Sequence, residues 1–220
     1  MAKVESLKQE ICEVGLRLYQ RGLVAGSDGN ISVRLTEGEV LCTPTMLCKG
    51  RMTTADICLV DMEGNQLAGS RKRSSEILLH LEILKARSDV NGVVHCHAPH
   101  ATAFAVAGQP VPRAAMPEAE FFLGEVPLAP YETPGTSAFA KTVLPFVHQS
   151  NVCLLSNHGT VSYADSLEQA YSLTEILDAY CRIVLFAQQL GPIHSIPAEK
   201  CAELAAQRTE LGFAPPSPQD

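Results

Sequence analysis

"GVVHCHAPH", residues 92–100, joins a short apolar run to three of the chain's seven histidines. The apolar residues follow Asn91 and end at the histidines, which predicts a strand over 91–97. Pro99 then opens a helix that stops at Gly108. Successive side chains on a strand point to opposite faces. His95 and His97 therefore share one face, and Cys96 takes the other. Two imidazoles at i and i+2 on a rigid strand are well placed to grip one metal ion, since zinc takes nitrogen ligands at about 2.0–2.1 Å. The competing reading is a pair of half-exposed strand histidines with no ligand. His100, at the helix start, reads as a structural group or a support for ligands.

On the N-terminal side of this stretch, Val4, Leu7, Ile11, Val14 and Leu18 form an apolar stripe at helical spacing over 3–22, and Gly22 ends it. "GNISVRL" (29–35) and "EVLCTP" (39–44) predict two strands with a turn at 36–38. "DICLVDMEGNQLAG" predicts a hairpin turning at 63–65. Residues 75–88 predict a helix opened by Ser74 or Ser75. On the C-terminal side, "NVCLLSNHGTVSYA" gives two apolar runs broken at Asn157–His158–Gly159. Asp165 and Glu168 then predict a capping box for a helix of about 25 residues that ends at Gly191–Pro192. There is no regular βαβ alternation and no GxGxxG, which disfavours a dinucleotide-binding domain. The pattern predicts an α/β domain with a central, mixed or largely antiparallel sheet over residues 1–210. The "APPSPQD" ending predicts a disordered tail over 211–220.

Composition narrows the function. The 220 residues carry a formal net charge of -7, with 46% hydrophobic and 19% charged residues. That suits a globular domain and gives no basic footprint for nucleic acid. No run approaches the roughly 18 apolar residues of a membrane span. The opening "MAKVESLKQE" lacks the apolar core of a secretory signal. The eight cysteines include no CxxC pair and read as reduced thiols of a cytoplasmic protein.

A zinc site needs a third ligand. His158, before a glycine that permits a tight turn, is one candidate, although a lone turn histidine is usually structural. Glu76, at the start of the helix after "RKRSS", is another, where the helix dipole favours a carboxylate. "GSDGN" (26–30) and the serine pair Ser74–Ser75 offer backbone amides that could cradle an anion.

In order, GLVAGSDGNISVR, TPT, SSE, HCH with its following helix, APYETPGT, and NHG before a long helix resemble the class II aldolase/adducin family. Within it, the likeness is to the L-fuculose-1-phosphate aldolases and their sugar-phosphate relatives, and it covers nearly the whole chain. The resemblance implies a three-layer αβα sandwich with a mainly antiparallel central sheet. It implies a homotetramer with its active site between subunits. It also implies that His95, His97 and His158 hold one zinc (Zn2+) per chain, with Glu76 as a fourth ligand at rest and the base in turnover. The implied phosphate site is Ser27, Asn30, Thr45, Ser74 and Ser75. The implied activity is cleavage of a phosphorylated ketose to dihydroxyacetone phosphate and an aldehyde. A 4-epimerase, a decarboxylase and a non-enzymatic adducin-like scaffold are the alternatives within the fold.

The chain departs from the family at three places. Met46 follows TPT where the family usually has glycine, and is expected to crowd the phosphate end. Met116 stands where the fuculose enzyme places a proton-donating tyrosine. "LGFAPPS" stands where that enzyme has another tyrosine near its C-terminus. Glu118 or Glu120 is the expected substitute acid.

Overall fold

The computed structural model describes residues 2–213. Helix α1 (Ala2–Gln20) precedes two hairpins, β1 (Asn30–Arg34) with β2 (Glu39–Cys42) and β3 (Cys58–Asp61) with β4 (Gln66–Ala68). Then come α2 (Ile77–Ala86), β5 (Gly92–Cys96) and α3 (Pro99–Ala107). A π-helical turn at Ala119–Leu123 leads to β6 (Leu128–Ala129), α4 (Ser137–Lys141), β7 (Val152–Leu155) and β8 (Gly159–Ala164). The long α5 (Leu167–Leu190) and α6 (Ala198–Glu210) complete the described chain.

The eight strands make one sheet in the order β4-β3-β2-β1-β5-β8-β7-β6. Every pairing is antiparallel except the short parallel contact of β6 with β7. Strand alternation sorts the core into two layers. Ile31, Val33, Val94, Val152 and Leu154 pack under α1, α3 and α5. Val40, Val93, Val161 and Tyr163 pack under α2 and α4. The expected αβα sandwich with a mainly antiparallel sheet is the architecture observed. All eight cysteines are free thiols. Among the described residues, no helix is long and apolar enough to cross a membrane.

Local signals were read slightly off at several ends. The cap of α5 is Ser166, whose hydroxyl accepts the Gln169 N–H at 3.3 Å, in place of Asp165. Helix α2 begins at Ile77, and the Ser74 hydroxyl accepts the Glu76 N–H one residue ahead of it. The expected tail begins too early at 211. Phe213 packs its ring against Phe121 and Phe122, with centroids 5.3 and 5.4 Å apart. The remainder of that tail, 214–220, lies outside the described residues.

Strand β5 can sit directly beneath α5 because its first residue is glycine. A Cβ on Gly92 would lie 2.5 Å from the Leu167 Cα and 2.6 Å from its backbone nitrogen. Backbone cannot give way as a side chain does. Gly92→Ala is therefore expected to lower unfolding free energy by about 1–3 kcal/mol, the usual cost of overpacking. Urea denaturation checks it, and an unchanged midpoint would mean that this contact is looser than described.

Candidate active site

Three neighbouring elements bring the histidines together. Strand β5 lies between β1 and β8, and its register sets Asn30 and Val161 on either side of His95. His95 points towards α2 and is fully buried. His97 follows the end of β5 and keeps about a third of its side chain exposed. His158 comes from the turn between β7 and β8, where Asn157 adopts a left-handed φ of 55°. Gly159 then admits a close approach, since a Cβ there would meet the Cys96 carbonyl at 2.5 Å and His97 Cδ2 at 2.7 Å. As a result, one ligand atom from each of His95, His97 and His158 lies within 4.8 Å of the others.

Glu76 closes the cluster from the N-terminus of α2. Its Oε2 is 3.3 Å from His95 Nε2 and its Oε1 is 3.2 Å from His158 Nε2. Burial opposes its charge, but when His158 and His95 are protonated, hydrogen bonds and charge from them outweigh that and hold the carboxyl well below the usual range. Burial pushes His95 down, against the raising pull of Glu76.

The donor chemistry of this set fits a cation. His95 Nδ1 faces the Thr160 carbonyl at 2.9 Å, and a carbonyl only accepts, so Nδ1 carries the hydrogen. His95 Nε2 then presents a bare lone pair to the interior. It faces His158 Nε2 at 3.0 Å and the Glu76 carboxylate. Lone pairs converging in a buried space need a shared proton or a metal ion between them. Three imidazoles and a carboxylate are a donor set that suits zinc.

The residues expected at a phosphate are divided. Thr45 and Ser74 lie on two segments laced together by Thr45 N–H to the Lys72 carbonyl and Ser74 N–H to the Thr43 carbonyl, at 2.9 and 3.1 Å. Ser75 is exposed and neighbours Gly135 of the "YETPGT" loop. Ser27 is half-buried in the glycine loop. Asn30 is turned inward. Its Nδ2 donates to Glu76 Oε2 at 2.8 Å and its Oδ1 faces His80 Nε2 at 2.5 Å. One amide hydrogen remains uncommitted.

Three residues near the cluster went unread in the sequence. Lys49 is 1% exposed and donates to the carbonyls of Ser27 and Leu47, at 3.1 and 2.7 Å, tying together the loops that carry Ser27 and Thr45. Burial pushes its ammonium down to about 8, against the pull of Asp28. A single lysine in a loop gives no warning of this. Asp28, the acidic residue of the glycine loop, accepts the Ala25 N–H at 2.7 Å and lies 3.4 Å from His97 Nδ1. His80 is wholly buried beneath Asn30. Its four-residue spacing from Glu76 on one helix face was a usable signal.

Other expectations need correction. Glu120 is not a free acid, because its carboxylate holds Arg113 at 2.7 Å and the Ala114 N–H at 2.6 Å. Burial opposes that charge, but the hydrogen bond from Arg113 leads the pull that keeps it ionised. Glu118 is exposed at the start of the π-helical turn. Met116 lines a cavity of about 410 Å³ against Ile183, Val184 and Leu190, on the α5 side of the molecule. Met46 is 82% exposed, so its side chain fills no pocket of this chain. Its φ of 56° is the left-handed conformation that glycine takes freely. His100, in contrast, has the structural role read for it, with its backbone N–H and Nδ1 both on Asp178 at 2.8 Å.

Comparison with known proteins agrees with this geometry. Residues 9–185 match the family model of the class II aldolase and adducin N-terminal domain. The chain is 33% identical over 210 residues to the 3-oxo-tetronate 4-phosphate decarboxylase of Escherichia coli K12, covering 92% of this chain and 97% of that one. It is 33% identical over 182 residues to an L-fuculose phosphate aldolase of Methanococcus maripaludis strain C5, covering 83% and 96%. A solved L-fuculose 1-phosphate aldolase superposes with a TM-score of 0.86 at 28% identity, covering 93% and 96%.

Two outcomes test the site. Replacing His95, His97 or His158 singly by Ala is expected to cut bound zinc far below one per chain, read by elemental analysis of the purified protein. Full zinc retention in all three variants would rule out the ligand set. Gly159→Ala, which pushes on His97 and on the Cys96 carbonyl while removing no ligand, is expected to weaken zinc affinity in a chelator competition.

Proposed function

The chain belongs to the class II aldolase and adducin N-terminal domain family, and on that premise we propose that it is a zinc-dependent lyase. It breaks a carbon–carbon bond near the carbonyl of a small phosphorylated sugar or sugar acid. The observation that carries this reading is the convergence of His95, His97 and His158 within 4.8 Å of one another, with Glu76 against His95 and His158. A scaffold has no need of that arrangement, which costs burial of a carboxylate and two imidazoles.

His95, His97 and His158 would hold the zinc, with Glu76 beside them. When bound, the metal supplies a Lewis acid that polarises the substrate carbonyl and takes up the charge left by cleavage. Glu76 moves the proton, and its carboxylate oxygens sit at the cluster where the reacting carbon must lie. The substrate's phosphate is held on the rim by Ser27, Thr45, Ser74, Ser75 and the free amide hydrogen of Asn30. Its binding energy positions the donor half of the substrate. Lys49 holds the two rim loops in place and puts a buried positive charge beneath them.

Aldol cleavage of a ketose 1-phosphate, such as L-fuculose 1-phosphate, is the reading that a proton-moving Glu76 and the aldolase relatives support. Decarboxylation of a phosphorylated 3-oxo acid is the second reading, and Met116 favours it. In aldol cleavage the departing aldehyde must first lose its hydroxyl proton, which calls for a base at that end. A departing carboxylate leaves as carbon dioxide with no proton to remove. Residue 116 is a thioether, and Glu120 is occupied by Arg113. Location and assembly follow the same reading: a cytoplasmic homotetramer. The exposed stripe Ile183, Phe186 and Leu190 on α5 supports a covered face.

The zinc-loaded protein should be offered L-fuculose 1-phosphate, L-rhamnulose 1-phosphate and 3-oxo-tetronate 4-phosphate, with dihydroxyacetone phosphate and carbon dioxide measured separately. Release of either product, abolished by chelation, is expected. Glu76→Gln should keep the fold and lose on the order of 10²–10⁴ in kcat. A variant with wild-type kcat would remove Glu76 from the chemistry. Light scattering is expected to give a tetramer, and a fully active monomer would contradict the assembly.

A further inference from the structure

Beneath Glu76 runs a line of buried polar groups, of which the chemistry above uses only Asn30. Ser32 Oγ is 2.7 Å from His80 Nδ1, and His80 Nε2 is 2.5 Å from Asn30 Oδ1. Asn30 Nδ2 in turn donates to Glu76 Oε2 at 2.8 Å. Ser32 and His80 are wholly buried, and Asn30 is 5% exposed. We infer that His80 is a positioning residue, which acts through Asn30 to fix the orientation of the Glu76 carboxylate.

The donors and acceptors leave one arrangement. Asn30 Nδ2 faces a carboxylate, so it is the donor, and Asn30 Oδ1 must face His80. A carbonyl oxygen only accepts, so His80 Nε2 carries the ring hydrogen. His80 Nδ1 is then a bare acceptor, and the Ser32 hydroxyl donates to it. Burial keeps the ring neutral, pushed down to about 3, with His95 adding to the effect. All three bonds run in the same direction towards Glu76, so each strengthens the next. Without His80 the Asn30 amide could turn over and present its oxygen to the carboxylate. The other partners of Glu76, His95 and His158, are the residues assigned to the metal. Asn30 is thus the anchor that stays with the carboxylate when the metal is bound.

The role assigned to Glu76 rests on the proposed function, so the test has one arm that needs no turnover. In a crystal structure of zinc-loaded His80→Leu, Asn30 is expected to rotate off Glu76, and the carboxylate to lose its bond. Asn30 and Glu76 unmoved would overturn the inference, whatever reaction the protein performs. In the kinetic arm, on whichever substrate turns over, His80→Leu should lose on the order of 10–100-fold in kcat, with zinc content near wild type. His80→Gln, whose Nε2 can reach the same oxygen, should recover part of that loss. Equal losses in both variants, or a loss carried by zinc content, would overturn it. If no substrate turns over, the proposed function falls and the crystal structure alone decides the inference.

Discussion

The antiparallel pairing of β1, β5 and β8 is the constraint on which the rest depends. It places Asn30, His95 and Val161 side by side across three strands, and Cys96 against Thr160. Backbone hydrogen bonds, not the side chains themselves, therefore set the spacing of Asn30 and His95. The carbonyl that fixes the His95 tautomer belongs to Thr160, on the strand paired with β5. A slip of one residue in β5 would turn His95 to the α5 face and bring Cys96 towards Glu76. The site tolerates no such slip. Burial of Val93 and Val94 on opposite layers makes it costly.

This explains what could be read in the sequence and what could not. The HxH pair, the His-Gly turn and the SSE carboxylate are local patterns, and each ended at the cluster. The alternation of "GNISVRL", "EVLCTP" and "NGVVHCH" set out the strands. Their order in the sheet is a property of non-local pairing, which no local pattern carries. The two-residue β6 is too short to show alternation, and its parallel contact is supplied by β7. The π-helical turn at 119–123 and α6 follow segments rich in proline and small residues, where periodicity is weak. Ser166 beat Asp165 as the cap of α5 because the hydroxyl sits one residue nearer the first turn.

Residues that act through burial were the hardest to read. Lys49 and His80 look ordinary in the sequence, since their importance comes from what covers them. Lys49 is a lysine kept from water with two carbonyls as its hydrogen-bond partners. An unpaired buried cation is expensive unless a negative group completes its surroundings. Asp28 partly meets that need, and it also stands against His97. The glycine loop is therefore more than a passive cradle of amides. It carries one negative charge towards the histidines and has a positive charge under its rim.

The distribution of these groups separates two kinds of specificity. The histidines, Glu76, Asn30 and His80 are all fixed by the sheet and by α2, which packs on it. They form the part of the site that any cleavage next to a carbonyl would share. The end that receives the departing group is different. The segment around Met116 and Glu120 packs on α5 and α6, and it turns the Glu120 carboxylate to Arg113 and the Ala114 amide. Within one chain it delivers no acid or base to the histidines. Whatever discriminates an aldehyde from carbon dioxide as leaving group must then come from elsewhere: from the substrate itself, or from a second copy of the chain docked at the boundary that the family likeness implies. On this arrangement the sheet and α2 fix the groups that either reaction would share, and the choice of which bond breaks is made outside them.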